Sequence, residues 1–320
     1  MRGGIRSIRI QMGTGGWVLL LALILLYLQN AVQPTPLTWA QVSNLLKIAA
    51  VLGLLSVGQT LVILAGHEGV NLAVGAVATL SAILVYNLTQ GRDVSLLPAL
   101  GLALLTGFFL ESMAGILVIK FRLPPLVATL GLSTVILGLI LRFGGRERGE
   151  VPPLLVRLVS EPWVLGVPGI LFFWLLVGLA VHVLLKRTFY GKALYALGAN
   201  PTAAQLAGIP VERYLVLTYG LSGLFNALGG VILLGHVQLI HLTLGQAYTL
   251  PSVIAVVAGG TSLAGGWGNY WGTMAGALLI TFLQSLLLTL RVEEFGRQIA
   301  FGLILLVLLV LYGRGRTLRE

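Results

Sequence analysis

The chain has 320 residues, of which 57% are hydrophobic and 9% charged, and its formal net charge is +10. Soluble domains carry about 25% charged residues, so this composition excludes one. Cysteine is absent, which excludes disulfides, thiolate metal sites and cysteine nucleophiles.

Long stretches lack Asp, Glu, Lys and Arg altogether: Ile48–Gly66, Gly69–Gly91, Leu123–Leu141, Pro162–Leu185 and the 77 residues Tyr214–Leu290. One helical crossing of a bilayer needs about 20 apolar residues. These stretches do not alternate polar and apolar, as the strands of a membrane barrel must. The expected class is all-α and polytopic, with ten spans at 17–32, 45–65, 72–90, 96–118, 124–142, 166–185, 213–235, 248–262, 269–290 and 298–313. Arg2, Arg6 and Arg9 precede the first span and no small-x-small cleavage site follows it, so it reads as an uncleaved anchor. With the N-terminus inside, twelve Lys and Arg fall in inside segments and eight outside. The positive-inside rule then places both termini in the cytoplasm. The same distribution accounts for the basic charge without nucleic acid, because the cations sit in short loops between spans.

Taken in chain order, Gly66-His67-Glu68-Gly69-Val70-Asn71-Leu72-Ala73-Val74-Gly75 interrupts apolar sequence with two ionisable groups, an amide and three glycines. It reads either as a solvated turn or as unwound backbone lining a cavity, the one setting in which irregular backbone is tolerated at membrane depth. Glu111 lies within the expected span 96–118. A charge there costs about 2.5–3.5 kcal/mol on insertion scales, so it demands a partner or water, structural or functional. The mixed-charge loop Gly144–Glu161 falls outside.

Arg187–Glu212 is the longest basic loop and falls inside. Within it, Asn200 suits a helix N-cap, Pro201 the first helical position and Gly208 a left-handed stop. A helix this short is marginal alone and must pack on something. Asn226, Gln246, Tyr248 and Thr249 are polar groups in or beside the last apolar stretch, available either for interhelical hydrogen bonds or for a solute. The run Gly259-Gly260-Thr261-Ser262-Leu263-Ala264-Gly265-Gly266 lacks the strand–turn–helix context and terminal Lys-Ser/Thr of a phosphate-binding loop and reads as a tight interhelical turn. No ATP-hydrolysing motif, catalytic constellation or metal-ligand spacing occurs in the sequence. An energy source must therefore come from elsewhere.

Gly191-Lys192-Ala193-Leu194-Tyr195-Ala196-Leu197-Gly198-Ala199-Asn200-Pro201-Thr202-Ala203-Ala204-Gln205-Leu206-Ala207-Gly208-Ile209 closely resembles the cytoplasmic loop of ribose-type ABC importer permeases. The Gly260–Gly266 run with Gly272-Thr273 and Gly276-Ala277, and Leu123–Gly131, are similar to further segments of that family. The resemblance spans about residues 45–312 and implies one permease domain over 1–320 in a bacterial or archaeal-type inner (plasma) membrane. It also implies a second permease subunit in a homodimer or heterodimer, cytoplasmic ABC ATPase subunits, an extracytoplasmic solute-binding protein and surrounding lipid. ATP is used by the partner, and this chain carries no cofactor. The implied ATPase-coupling residues are Gly191, Lys192, Gly198, Asn200, Pro201, Ala203, Ala204, Ala207 and Gly208. The candidate substrate pathway is Glu68, Asn71, Glu111, Asn226, Gln246, Tyr248 and Thr249, and the implied solute is a monosaccharide. The sequence departs from the family where Asp and Ser are usual, at Asn71 and Ala73, and where Glu-Leu-Asp is usual, at Thr249-Leu250-Pro251. Alternatives are a nucleoside or branched-chain amino acid permease of the same class, or a stand-alone secondary transporter.

Overall fold

A computed structural model describes residues 14–66, 69–144, 149–164 and 166–314. The helices, in order, are α1 (Thr14–Val32), α2 (Trp39–Leu64), α3 (Val74–Thr89), α4 (Leu96–Lys120), α5 (Pro125–Gly144), α6 (Pro153–Ser160), α7 (Gly169–Arg187), α8 (Phe189–Ala199), α9 (Pro201–Leu206), α10 (Val211–Val237), α11 (Thr249–Ala258), α12 (Tyr270–Thr289) and α13 (Glu294–Arg314). A helix stands at each of the ten expected positions. Seven of them, α1, α2, α4, α5, α7, α10 and α12, are long and apolar enough among the described residues to cross a membrane. The spans expected at 72–90 and 248–262 are instead the shorter apolar helices α3 and α11, and α13, at the expected span 298–313, is not among the seven.

Local chemistry sets the ends. Thr38 and Gln41 close a capping box on α2, satisfying orphan amides at the start of the helix. Asn269 accepts from the Gly272 amide at 2.8 Å and starts α12. At the other ends, Gln90 and Gln238 turn into left-handed backbone and stop α3 and α10. Between α5 and α7 the chain holds α6, which buries Leu155 and Val159, and a two-stranded antiparallel hairpin, β1 (Pro162–Val164) with β2 (Val167–Pro168). The basic loop contains two helices, α8 and α9, where the sequence predicted one.

Small residues let the helices close on one another. Helices α4 and α10 run antiparallel, and a Cβ built on Gly223 would stand 2.0 Å from the Gly107 carbonyl oxygen. Gly58 of α2 lies against Ser222, and Gly230 of α10 against Ala78 of α3, so α10 is gripped by α2, α3 and α4. On the other side of α2, α12 packs with Thr60 and Thr273 sharing a 3.0 Å hydrogen bond, and α1 runs parallel to α12, with Gln29 donating to Ser285 at 2.8 Å.

The fold has an inverted correspondence. Helix α2 ends, and α10 begins, at the end of the bundle that carries α8 and α9; Tyr190 of α8 bonds Thr218 of α10 at 2.9 Å. Each of the two long helices is followed by irregular chain and then a short helix, α3 or α11. The starts of those two short helices meet, since a Cβ on Gly75 would stand 2.5 Å from Thr249 Oγ1. From that meeting point α3 and α11 run towards opposite ends.

Candidate functional site

Three of the expected pathway residues converge. Asn71, Glu111 and Asn226 are fully buried, and both asparagine amides donate to the Glu111 side chain, each at 2.7 Å. Asn71 also donates to Ser222 Oγ at 3.0 Å, and Asn226 does so at 3.3 Å. The Asn71 oxygen accepts from the Ala73 amide at 2.8 Å, folding its side chain back over the start of α3. Gln59 of α2 pairs with the Asn71 backbone, donating to its carbonyl at 3.0 Å and accepting from its amide at 3.2 Å. Thr129 of α5 accepts from the Leu72 amide at 3.1 Å. Asn71 and Leu72, in the irregular chain before α3, thus have their buried polar groups met by α2, α4, α5 and α10, as burial away from water requires. Asn226 Oδ1 has no partner among the described residues.

Glu68 and His67 lie outside the described residues. Of the remaining pathway candidates, Thr249 sits against the backbone of Gly75. Gln246 and Tyr248 line a groove of about 630 Å³ with His241, Thr243 and Gln298. The expected pathway residues therefore form two groups, one sealed around Glu111 and one on an open groove, joined where Gly75 meets Thr249. The sequence reading missed Ser222, which lies one helical turn before Asn226 on the same face of α10; that spacing was the available signal.

The second cluster is built on α8 and α9. Asn200 caps α9 as expected, accepting from the Ala203 amide at 3.0 Å, and Pro201 occupies its first turn. Gly208 is left-handed at φ +83°, and the amides of Gly208 and Ile209 bond the carbonyls of Gln205 and Ala204, both at 3.0 Å. Only Ala204 of α9 is buried, and Lys192, Ala203, Ala207 and Gly208 are exposed. The described chain covers only one side of this short helix, at Ala204, and leaves Leu206 86% exposed, as is Phe189 at the start of α8. Helix α8, by contrast, is anchored. Gly191, Ala193, Leu194 and Leu197 are buried, and the Tyr195 hydroxyl donates to the Gly268 carbonyl at 2.7 Å.

The glycine-rich run folds as the expected turn between α11 and α12, with the Ser262 amide donating to Trp267 at 2.8 Å. Thr261 is buried, and Gly259 lies against Gly272, so α11 and α12 cross backbone to backbone. Gly260 is left-handed at φ +92°. Gly265 and Gly266 reach both α8 and the end of α2. The Gly266 amide donates to Leu64 at 3.0 Å, and a Cβ on Gly198 would lie 2.0 Å from the Leu64 oxygen and 2.2 Å from the Gly266 nitrogen.

The profile of the family described as "Branched-chain amino acid transport system / permease component" matches residues 41–310. The chain belongs to this family. The permease is 35% identical over 291 residues to the ribose import permease protein RbsC of Bacillus subtilis, covering 90% of this chain and 89% of that one. It is 30% identical to RbsC of Haemophilus influenzae over 293 residues, 89% of this chain and 88% of that one. It is 31% identical to the autoinducer 2 import system permease protein LsrC of Yersinia pestis over 314 residues, 97% of this chain and 88% of that one. No solved structure matches. As a transport-system permease with several apolar helices, the chain is a multi-pass inner-membrane protein.

Proposed function

We propose that this permease is the translocation subunit of an ATP-binding-cassette importer for a monosaccharide, with ribose as the probe of choice. The solute class is supported by the relatives named ribose import permease. The observation that carries the energy coupling is the capped helix α9, held at one end of the bundle with Leu206 and Phe189 exposed. An apolar surface left open on a rigid short helix suits a cytoplasmic ATPase subunit, whose closure would move the helix as a unit. On this reading both termini are cytoplasmic, α8 and α9 form the coupling loop of a single permease domain, and a solute-binding protein delivers at the opposite end. A second permease subunit completes the pathway. Helix α5 supports such pairing, because Gly131, Thr134 and Gly138 face outward with nothing beside either glycine. Small residues on an open face are what close helix pairs in membranes use.

The test is reconstitution in liposomes with the cognate ATPase and binding protein, measuring ATP-driven ribose uptake. Ala207→Arg places bulk and charge on the exposed helix and abolishes uptake; unchanged uptake rules out docking at α9. Substitution of autoinducer 2 for ribose tests the solute assigned to the other named relative.

A further inference from the structure

We propose that motion of the coupling loop reaches the membrane interior through a glycine junction in which Gly66, Gly198 and Gly266 meet backbone to backbone, with Tyr195 as its latch. The inference rests on the importer reading above and identifies which element is driven: residues 69–71, tied to the junction by the Gly69 amide donating to the Gly66 carbonyl at 3.0 Å.

Three segments far apart in sequence touch here with no side chain between them. A Cβ on Gly265 would lie 2.4 Å from the Gly66 Cα and 3.0 Å from the Gly198 Cα. One on Gly266 would lie 2.6 Å from the Ala199 nitrogen. Gly66 and Gly265 hold φ +81° and +87°, the left-handed region that disfavours a side chain. The Leu64 carbonyl, freed at the end of α2, accepts from the Gly266 amide. Tyr195, one turn before Gly198 on α8, ties the same turn through the Gly268 carbonyl.

Backbone in direct contact transmits displacement with less slack than side chains, which can rotate. A shift of α8 therefore must carry the turn with it or break the Tyr195 bond, and the turn is itself bonded to the end of α2 through Gly266 and Leu64. On one side of the junction, Asn71 lies five residues beyond Gly66 in sequence, bonded to Glu111 and Ser222. On the other, the turn follows directly on the short helix α11, capped at Gly259, and leads into α12 through the Asn269 cap. One lever thus addresses both short-helix segments of the inverted fold. Exposed α9 is the handle and anchored α8 is the shaft; Tyr195 positions the turn and touches no solute.

The assembled permease–ATPase complex with its binding protein provides the test. Tyr195→Phe keeps the ring and removes the donor. It is expected to leave ATPase co-purification intact and to lower ribose taken up per ATP hydrolysed about three- to tenfold, the scale of one lost hydrogen bond. Gly198→Ala is expected to do the same more severely. If it fails to insert, Tyr195→Phe carries the result alone. Hydrogen exchange with and without a non-hydrolysable ATP analogue supplies an independent reading: peptides covering 62–66 and 262–269 should change protection together with 189–210. An unaltered uptake-to-ATP ratio in Tyr195→Phe, or nucleotide-dependent exchange confined to 189–210, overturns the junction. Failure of the wild-type chain to bind the ATPase at all would instead overturn the importer reading.

Discussion

Asn71 and Glu111, forty positions apart in the chain, share a hydrogen bond of 2.7 Å in the buried interior between α2, α4 and α10. That bond, with its twin from Asn226, explains how an irregular segment and an acidic side chain coexist in an apolar bundle. Each supplies what the other lacks: the carboxyl offers acceptors and the amides offer donors.

Glu111→Gln is expected to destabilise the permease. The substituted amide presents one oxygen where Glu111 presents two, so one asparagine amide loses its acceptor at a fully buried site. An unsatisfied buried donor costs about 1–3 kcal/mol. A fluorescence melting curve in detergent should show a fall of several degrees, and Glu111→Leu a larger one. Unchanged melting in both variants would contradict the pinning role.

Asn200→Ala removes the cap of α9 at a cost of about 1 kcal/mol. Because α9 stands out from the bundle, the loss falls on the helix itself and spares the bundle. Leu206→Asp leaves the helix intact and reverses its surface character. Both variants should insert and melt like wild type while retaining less ATPase on an affinity column, with Leu206→Asp the weaker binder. Equal retention would place the docking surface elsewhere.

Tyr190 and Tyr195 make the pH prediction. Burial pushes both hydroxyls above the ordinary tyrosine value of 10.0. A raised value in the folded state means that their stabilising contribution is complete below the unfolded value, about 10, and is lost as pH rises through the folded values. Stability should therefore be insensitive to these groups across neutral and mildly alkaline pH. Tyrosinate absorbance followed to high pH should show a late-titrating component that shrinks in Tyr195→Phe.

The natural chain has no cysteine, so a single Thr134→Cys on α5 offers one reactive thiol. In membranes containing the assembled importer, oxidation is expected to yield a covalent pair of this chain if the complex is a homodimer joined through α5. With two different permease subunits, the bond requires a matching cysteine in the partner.

The helices were legible because the bilayer permits few alternatives: backbone polar groups must be satisfied within the segment, and the apolar runs show where that occurs. The cap at Asn200 and the stop at Gly208 were legible for an equally local reason, since each depends on a residue's own backbone preference and its near neighbours. Helix α8 was missed because its sequence is ordinary; what fixes it is contact with Leu64 and Gly266, remote in the chain.

The pathway candidates show the same division. The sequence by itself marked Glu111 as a costly group and Asn71 and Asn226 as polar groups in an apolar setting, and it marked the glycine-rich motifs as departures from uniform helix. Tertiary structure alone decided that the three polar residues meet in one sealed node while Gln246 and Tyr248 open onto a groove. It alone brought Gly66, Gly198 and Gly266 into one junction. The physical reason is range: desolvation cost and backbone preference belong to single residues and near neighbours, whereas the partner that offsets the cost is selected by how whole helices pack.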